Sequence, residues 1–378
     1  MKSVRNEITR RDFMKRSALG TMGMAAGMGA ISGCLAATEA RDTFRYLRNA
    51  EFPTPKEVSP IKPVSNEIYS TSSVAQSSKA VKENGAINQA IVQQMFDEAI
   101  FACTGKDSIE AAWDTLVPGL KSTDTIGLKI NCINPSLPTH PEVINAIIDH
   151  LKKIGINENN IIVWDRRNSN VPGLGNLARS GYTINSGDKG VRYIHTDMDN
   201  IGYDDDIIVR VPTVDLELSV SKILTRECKY LINVPQLRHH GRAGMTQCLK
   251  NYYGTIPLFG VLTATIAAKM HLDNCNPAAA ELFSNSIFKE KTILHVCDAL
   301  MTIYEGGPMG GPQTIVGKLM VGRDPVALDH LGLMILEEER KKRGFSTLTA
   351  HSRYIQTAAE MGIGTNNPRQ ITIKPVTI

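Results

Sequence analysis

Alternation of strand, polar loop and helix is the feature that most constrains how this chain can fold. From residue 124 onward, short apolar runs typical of strands are followed by polar residues and then by apolar residues with helical spacing. These runs cover residues 125–130, 161–164, 230–235, 292–297 and 318–321. Such alternation favours parallel strands joined by right-handed crossovers. The sequence therefore predicts an α/β fold, with a mainly parallel sheet and helices on both faces.

Apolar spacing and capping residues predict where the helices lie. Helical patterns cover residues 86–103, 109–120, 143–154, 246–253 and 326–338. Thr139 begins a capping box that ends at Glu142, and Asp324 precedes Pro325 as a favourable N-cap. The 378 residues exceed one typical domain of about 100–200 residues. One large domain and two lobes around a cleft therefore both remain open.

The first residues predict an export signal of the twin-arginine type. The pair Arg10-Arg11 precedes an uncharged stretch, residues 17–33, which is too short and too weakly apolar for a comfortable membrane span. That stretch ends at Cys34, in a sequence that resembles the box at which bacterial lipoproteins are cut and lipidated. Lipidation of Cys34 is therefore predicted, with ordinary signal-peptidase cleavage near Ala36 as the alternative.

The export signal divides the chain into three predicted regions. Residues 1–34 form the signal, residues 35–100 a tether and N-terminal extension, and residues 101–378 the α/β domain. An exported protein works in the periplasm or on the outer surface, and a lipid on Cys34 would anchor it to the membrane. The predicted partners are the twin-arginine export machinery, that membrane and a small-molecule ligand.

The distribution of charge argues against a nucleic-acid partner. The formal net charge is +4, and it comes entirely from residues 1–33. The remaining chain carries balanced charge and offers no basic footprint for DNA or RNA. No nucleic acid is therefore expected among the partners.

The cysteines exclude one class of cofactor and leave others open. Seven cysteines occur, and none belongs to a Cys-x-x-Cys pair, so a ferredoxin-type iron–sulfur motif is excluded. The six after Cys34 are scattered through apparent strands and helices, which favours free, buried thiols. The spacing of His239, His240, His271 and Asp298 fixes no metal geometry. The cofactor is thus unknown, and a divalent metal or a cofactor inserted before export remains open.

Polar residues cluster where the predicted strands end. Parallel sheets bind ligands beyond the carboxyl ends of their strands, so these residues are expected to converge on one cleft. They are Lys129, Asn131, Asn134, Asp165 to Arg167, His239 to Arg242, Asp298 with residues 306–311, and Asp324.

The densest of these clusters spans residues 233–254. Of the adjacent His239 and His240, one is expected to reach a ligand while the other holds a loop. A helix beginning inside the cluster would aim free N–H groups at an anion, which Arg242 would clamp. The alternative is that the histidines cap turns and that Lys250 extends into solvent.

Two sets of site residues are predicted from these clusters. The catalytic candidates have side chains suited to acid–base or electrostatic chemistry, and they are His239, His240, Lys250, Asn251 and Asp298. The substrate-binding candidates are Lys129, Asn131, His140, Arg242, Gly307 and Gly310.

Several separate motifs follow one another in an order typical of a known family. They are Lys129-x-Asn131, Thr139-His-Pro-Glu142, Asn233-Val-Pro235, His240, Thr246, Leu249-Lys-Asn-x-x-Gly254, Asp298, Gly307-Pro-x-Gly310 and Asp324-Pro-Val-Ala-Leu-Asp329. Over residues 120–335 the chain resembles domain-of-unknown-function family 362, which implies no settled activity. Many members carry a ferredoxin-like segment with Cys runs, which this sequence lacks. Residues 240–250 are also similar in layout to the nickel-pincer lactate racemases, but Gln247-Cys-Leu-Lys250 replaces their Gly-Gly-Arg-Lys core.

Two functions from different classes remain open on the sequence. The first is an enzyme that acts on a small anionic substrate, with His240 or His239 as general acid or base and Lys250 as electrostatic partner or covalent anchor. The second is a lipid-anchored, non-catalytic binding or accessory protein for a small anion or metal. The concentration of His, Lys, Asp and Asn at strand ends favours the enzyme.

Overall fold

The structure, a computed structural model, describes residues 64–171, 175–258 and 264–378. The predicted export signal and Cys34 lie outside these residues, as does the tether up to residue 63. The strands are β1 (Thr71–Gln76), β2 (Ile126–Lys129), β3 (Ile161–Asp165), β4 (Arg192–His195), β5 (Tyr203–Val211), β6 (Leu216–Ser221), β7 (Tyr230–Asn233), β8 (Arg238–His240), β9 (Gly244–Thr246), β10 (Thr292–Thr302), β11 (Thr314–Gly322) and β12 (Thr372–Thr377).

Helices connect most of these strands. They are α1 (Asn66–Ser70), α2 (Gln89–Thr104), α3 (Ile109–Leu116), α4 (Pro141–Lys153), α5 (Cys248–Asn251), α6 (Ala264–Met270), α7 (Ala278–Ser284), α8 (Ser286–Lys291), α9 (Pro325–Lys341) and α10 (Arg353–Glu360). Shorter helical turns occur at Glu158–Asn160, Ala178–Ser180, Pro212–Val214, Ile223–Glu227, Tyr252–Thr255 and Leu272–Cys275. None of the helices in the described ranges is long and apolar enough to cross a membrane.

One large mixed sheet organises the described residues. Its strand order is β12-β1-β11-β10-β7-β2-β3-β4, and two small hairpins, β5-β6 and β8-β9, lie outside it. Five of its neighbouring pairs are parallel, whereas β11 is antiparallel to both β1 and β10. The predicted α/β class with a mainly parallel sheet is therefore confirmed.

Two apolar cores cover the two faces of this sheet. Along β3, Ile161 and Val163 belong to the core that includes α2, α3 and α4, while Ile162 and Trp164 belong to the core that includes α5 and α7 to α10. This division follows from the two-residue period of a strand, which sends successive side chains to opposite faces. Because both faces of the sheet are buried, the strands appear in the sequence as continuous apolar runs.

The N-terminal part of the described chain belongs to the sheet from residue 71 onward. β1 is hydrogen-bonded to β11 on one side and to β12 on the other, and α2 packs against it. Helix α2 continues past residue 100, where the sequence analysis placed the boundary between the N-terminal extension and the α/β domain. The Ser/Thr-rich composition that suggested a tether is compatible with a buried strand, because buried hydroxyl groups can form hydrogen bonds within the protein. Ser73 Oγ, for example, donates to the carbonyl oxygen of Ala99 at 2.7 Å.

β10 is longer than predicted, and this changes the position of Asp298. The strand continues to Thr302 because its second half pairs with β11. Asp298 therefore lies inside a strand and is fully buried, so its predicted place at a strand end is wrong. Its Oδ2 atom accepts hydrogen bonds from the backbone N–H of His140 at 2.8 Å and from His140 Nδ1 at 2.7 Å.

The two predicted helix caps have different outcomes. His140, not Thr139, is the N-cap of α4, because the Thr139 hydroxyl donates to the carbonyl oxygen of Val234 at 2.7 Å. The prediction for Asp324 is confirmed, since its Oδ1 atom accepts from the N–H of Val326 at 2.8 Å at the start of α9.

The predicted free thiols are also confirmed, because the six cysteines of the described chain are all buried and free.

We expect the His140–Asp298 pair to make folding stability depend on pH. Burial lowers the pKa of His140, but the charge and hydrogen bond of Asp298 outweigh it and raise that pKa above its usual value. Because the pKa of His140 is higher in the folded than in the unfolded protein, the pair stabilises the fold fully below pH ~6.5. This stabilisation is lost as pH rises through the folded-state pKa. Urea unfolding across that interval should therefore give a free energy of unfolding that decreases with pH.

The variant His140→Gln should flatten this slope, while His351→Gln, which changes an exposed histidine, should retain it. An unchanged slope in His140→Gln would show that another group titrates.

Candidate functional site

A cavity of about 230 Å³ opens where β2 and β3 end, and we call it the cleft. The ends of three adjacent strands are level there, since Lys129 on β2 is in register with Trp164 on β3 and with Asn233 on β7. The polar residues that line the cleft are Lys129, Asn131, Asp165, Arg166, Arg167, His240, Thr246, Lys250, Asn251, Tyr253 and His271.

A buried ion pair forms one wall of the cleft. Lys129 Nζ donates to Asp165 Oδ1 at 2.7 Å and to the carbonyl oxygen of Ile130 at 2.6 Å, and the lysine side chain is 1% exposed. Asp165 accepts two further bonds, from the N–H groups of Cys132 and Arg166. Both oxygens of this carboxylate thus accept hydrogen bonds from the protein, and the bonds to Lys129 hold the ammonium group in one place.

Gly254 closes over this ion pair. A Cβ atom at that position would lie 2.7 Å from Lys129 Nζ and 3.0 Å from Asp165 Oδ1. The lysine cannot easily move away, because two oxygen atoms hold its ammonium group. The absence of a side chain at residue 254 is therefore a steric requirement of the ion pair.

A network of amides joins the cleft to the sheet. Asn251 Nδ2 donates to the carbonyl oxygen of Lys129 at 3.1 Å and to Asn233 Oδ1 at 2.7 Å, and Asn251 Oδ1 accepts from Asn131 Nδ2 at 3.0 Å. Asn131 Oδ1 in turn accepts from the buried guanidinium of Arg238. Burial lowers the pKa of Arg238 to about 10. The network fixes both asparagines and leaves a cationic group beneath the floor of the cleft.

Helix α5 carries Lys250 and Asn251 into the cleft, but its N-terminus does not face the cleft. The N–H groups of Cys248 and Leu249 donate to the two oxygens of Asp329, at 2.6 and 3.1 Å. The prediction that these N–H groups bind an external anion is therefore wrong, because a carboxylate of α9 already binds them. Burial raises the pKa of Asp329 to about 7, although the two N–H groups oppose this.

Lys250 is buried among neutral groups. Its Nζ atom lies 3.3 Å from His271 Nε2 and 4.5 Å from the centroid of the Tyr253 ring. His271 Nδ1 lies 2.7 Å from the carbonyl oxygen of Ala267, so Nδ1 carries the proton and Nε2 accepts from the lysine. Burial, together with Arg238, lowers the pKa of Lys250. Burial and the lysine charge lower the pKa of His271 to about 4.

His240 is held as a neutral hydrogen-bond donor. Its Nδ1 atom accepts from the backbone N–H groups of Arg242 and Ala243, both at 3.2 Å, so the ring proton is on Nε2. Burial and the charge of Lys250 lower the pKa of His240 far below its usual value. Its ring stacks on His271 with 5.6 Å between centroids. The cleft thus presents one N–H donor and one ammonium group side by side.

The neighbouring His239 holds a loop instead. Its Nδ1 atom accepts from the backbone N–H of Gly307 at 3.0 Å, and Asn134 Nδ2 donates to the carbonyl oxygens of Pro308 and Gly310 at 2.9 and 2.7 Å. These bonds place Pro308 and Met309 in the wall of the cleft. His239 therefore holds this loop, while His240 lines the cleft.

The structure brings together about half of the residues selected from the sequence. Those that line the cleft are Lys129, Asn131, His240, Lys250 and Asn251. Those outside its lining are His239, Asp298, His140, Arg242, Gly307 and Gly310. His140 and Asp298 are absent from the lining because they bind each other, and Arg242 is exposed on the turn between β8 and β9.

The cleft also contains residues that the sequence sets did not include. Asp165 was marked by its place at a strand end, and Tyr253 follows Lys250 on the same short helical segment. His271 had no positional signal, because it comes from a separate connection after α6. Its place beside Lys250 depends on tertiary packing alone.

The donors of the cleft suit an anion better than a divalent cation. The imidazole Nδ1 atoms are engaged by backbone groups, His271 Nε2 accepts from Lys250, and the Asp165 carboxylate binds Lys129. Among the described residues, no group of three or more His, Cys, Asp or Glu is arranged to hold a metal ion.

Comparison with known proteins identifies a family but no activity. The model of a family described as domain of unknown function (DUF362) matches residues 126–334. A thylakoid-associated protein of Synechocystis sp. is 27% identical over 147 residues, which are 38% of this chain and 43% of that protein. The chain therefore spans less than half the length of this curated relative.

Two solved structures are similar at low identity. The lactate racemase apoprotein from Thermoanaerobacterium thermosaccharolyticum is 12% identical with a TM-score of 0.38, over 71% of this chain and 58% of that chain. A protein from Thermotoga maritima is 11% identical with a TM-score of 0.33, over 67% of this chain and 58% of that chain. The chain covers less than two thirds of either structure, and neither similarity bears on activity.

We expect Gly254→Ala to destabilise the protein by about 1–3 kcal/mol, because the new methyl group must displace Lys129 or Asp165 from their bond. Gly311→Ala is the matched control, since a Cβ at Gly311 meets nothing within 4 Å. Its effect should stay within about 0.5 kcal/mol. Thermal and urea unfolding measure both, and equal stabilities would contradict the steric argument.

Proposed function

The chain belongs to the DUF362 family, whose model matches residues 126–334, and we propose that its cleft binds a small anionic substrate and transfers a proton to or from it. The proposed substrate carries a carboxylate or phosphate group that lies beside Lys250. His240 and Lys250 are the residues proposed to act on it.

The buried position of Lys250 is the observation that supports this proposal most strongly. The side chain is 7% exposed, and its contacts in the described chain are the neutral ring of His271 and the face of Tyr253. A buried ammonium group without a countercharge is costly. A bound anion would supply that countercharge, so binding would stabilise the charged form of the lysine.

The two residues have different proposed roles. The lowered pKa of Lys250 brings its neutral form closer to physiological pH, which suits a group that exchanges a proton with a substrate. His240, neutral and protonated on Nε2, would donate a hydrogen bond to an oxygen on which negative charge develops. Sequence reasoning had given the proton transfer to a histidine, whereas this assignment gives it to the lysine.

Asn131, Asn251 and the Lys129–Asp165 pair would position the substrate. The two amides are bonded to one another, and the ion pair is satisfied within the protein. These groups therefore shape the cleft.

We also propose that the protein is exported and acts in the periplasm or on the outer surface, on the basis of Arg10-Arg11 and Cys34. Expression of the precursor in a bacterium with a working twin-arginine system, followed by intact-mass measurement, tests this. A mass beginning at a lipidated Cys34 supports the anchor, cleavage near Ala36 supports export without one, and an uncut cytoplasmic chain contradicts export.

We expect proton transfer in the cleft to be lost in two variants. The folded protein is incubated in D2O with a panel of small carboxylates and phosphate esters, and deuterium incorporation is followed by NMR. Lys250→Met and His240→Ala should each lower the rate by about 10²–10³-fold while the protein remains folded. Lys82→Met, at an exposed lysine, should be without effect.

Two results separate the enzyme from a non-catalytic binding protein. Saturable binding in calorimetry, lost in Lys250→Met and accompanied by no exchange or other change in the ligand, would favour simple binding. Exchange that survives in both cleft variants would contradict the proposed chemistry.

A further inference from the structure

A second cavity, of about 270 Å³, lies behind the cleft and shares no lining residue with it. It is enclosed by the start of β10, the ends of α7 and α8, and the segments that follow β11 and α10. Its polar lining consists of Tyr69, Ser284, Lys289, Thr292, His295 and Arg323. Asn233 and Asn251 separate it from the cleft, because Asn233 bonds to His295 on one side and to Asn251 on the other.

The lining of this second cavity is cationic. It includes Arg323 and Lys289 and no aspartate or glutamate. The neighbouring Asp324 carboxylate is occupied, because it accepts from N–H groups at the start of α9 and from the N–H of Thr365. Arg323 Nη1 donates to the carbonyl oxygen of Leu116 at 2.6 Å, a neutral acceptor that anchors the guanidinium without neutralising it.

His295 contributes a fixed N–H donor to the cavity. The orientation of the Asn233 amide is set by two bonds, because its Nδ2 donates to the carbonyl oxygen of Cys248 and its Oδ1 accepts from Asn251. That Nδ2 also donates to His295 Nδ1 at 3.0 Å, so the imidazole proton is on Nε2. His295 is 1% exposed and lines the cavity, and Nδ1 is the ring nitrogen with a partner in the described chain.

The charged and imidazole groups that line the second cavity are hydrogen-bond donors, so the cavity suits a ligand that is rich in acceptor oxygens. A guanidinium, an ammonium group and an imidazole line one cavity. The hydroxyl groups of Ser284 and Thr292 are engaged within the protein, because Ser284 Oγ donates to the carbonyl oxygen of Glu281 at 2.7 Å and Thr292 Oγ1 pairs with the Tyr252 hydroxyl at 2.8 Å. A carboxylate has two oxygens in one plane, whereas a phosphate group offers several oxygens in tetrahedral directions and pairs well with arginine. The arrangement of donors on separate elements matches the tetrahedral ligand.

We propose that this second cavity binds a phosphate group, either as the free ion or on a small ester. The site is independent of the chemistry proposed for the cleft. Arg323 and Lys289 supply the countercharge, and His295 Nε2 donates a hydrogen bond to a phosphate oxygen. Burial lowers the pKa of His295 to about 3 in the absence of a ligand, so the ring is a neutral donor when phosphate arrives.

The experiment is a calorimetric titration of the purified protein with inorganic phosphate at pH 7 and low salt. We expect saturable binding, with a phosphate site that persists in Lys250→Met. Lys289→Glu should weaken binding by about tenfold or more, because attraction is replaced by repulsion. Lys289 is exposed, so this variant should fold normally.

Two control variants locate the site. Lys341→Glu makes the same charge change at the far end of α9, about 24 Å from the first residue of that helix, and should leave the affinity unchanged. Lys250→Met removes the ammonium group of the cleft, so a phosphate site that remains in this variant lies outside the cleft. Loss of all phosphate binding in Lys250→Met would assign the ion to the cleft and overturn the proposal. The proposal would also be overturned if the unaltered protein showed no saturable binding, or if Lys289→Glu bound phosphate with unaltered affinity.

A direct probe of His295 gives an independent readout. The ¹⁵N signal of its Nε2 should shift on addition of phosphate in the unaltered protein and in Lys250→Met; an unmoved signal at saturation would overturn the proposal. Titration with glycerol phosphate then distinguishes a phosphate ester from the free ion as the natural ligand. A site for an ester should bind glycerol phosphate more tightly than inorganic phosphate, and a site for the free ion should bind it less tightly.

Discussion

The buried ion pair between Lys129 and Asp165 is the interaction on which the cleft depends. It ties the ends of two adjacent parallel strands together, and with two backbone N–H groups it engages both oxygens of the Asp165 carboxylate. Removal of one partner from such a pair costs about 3–5 kcal/mol, because the other charge is left buried. The absence of a side chain at Gly254 follows from this pair, and Asn251 holds the same strand end through the backbone carbonyl of Lys129.

Around that fixed pair the cleft holds the ammonium group of Lys250, which lies beside the neutral ring of His271 and the face of Tyr253. Burial and the charge of Arg238 lower the pKa of Lys250, and both imidazoles near Lys250 remain neutral. An enclosed site of this kind has its greatest affinity for a ligand that brings negative charge. Its backbone bonds also fix the tautomers of His240 and His271, so the hydrogen-bonding pattern exists before a ligand arrives.

The sequence predicted the parts of the fold that depend on local periodicity. Alternating strands and helices, the Asp324 cap, and the polar residues after β2 and β7 could all be read from patterns a few residues long. Long-range pairing could not be read in this way. Asp298 lies within a strand because β11 extends it, Asp329 occupies the N-terminus of α5 from 81 residues away, and His271 reaches Lys250 through packing alone.

The position of β1 has a consequence for biosynthesis. Among the described strands of the large sheet it is synthesised first, yet its two hydrogen-bonding neighbours, β11 and β12, are the two that are synthesised last. Until then both of its edges are open to other strands, and contacts of such long sequence separation form slowly. The sheet therefore closes only after β12 has been synthesised, and a chain cut short before residue 372 would leave β1 without its parallel partner and prone to aggregation.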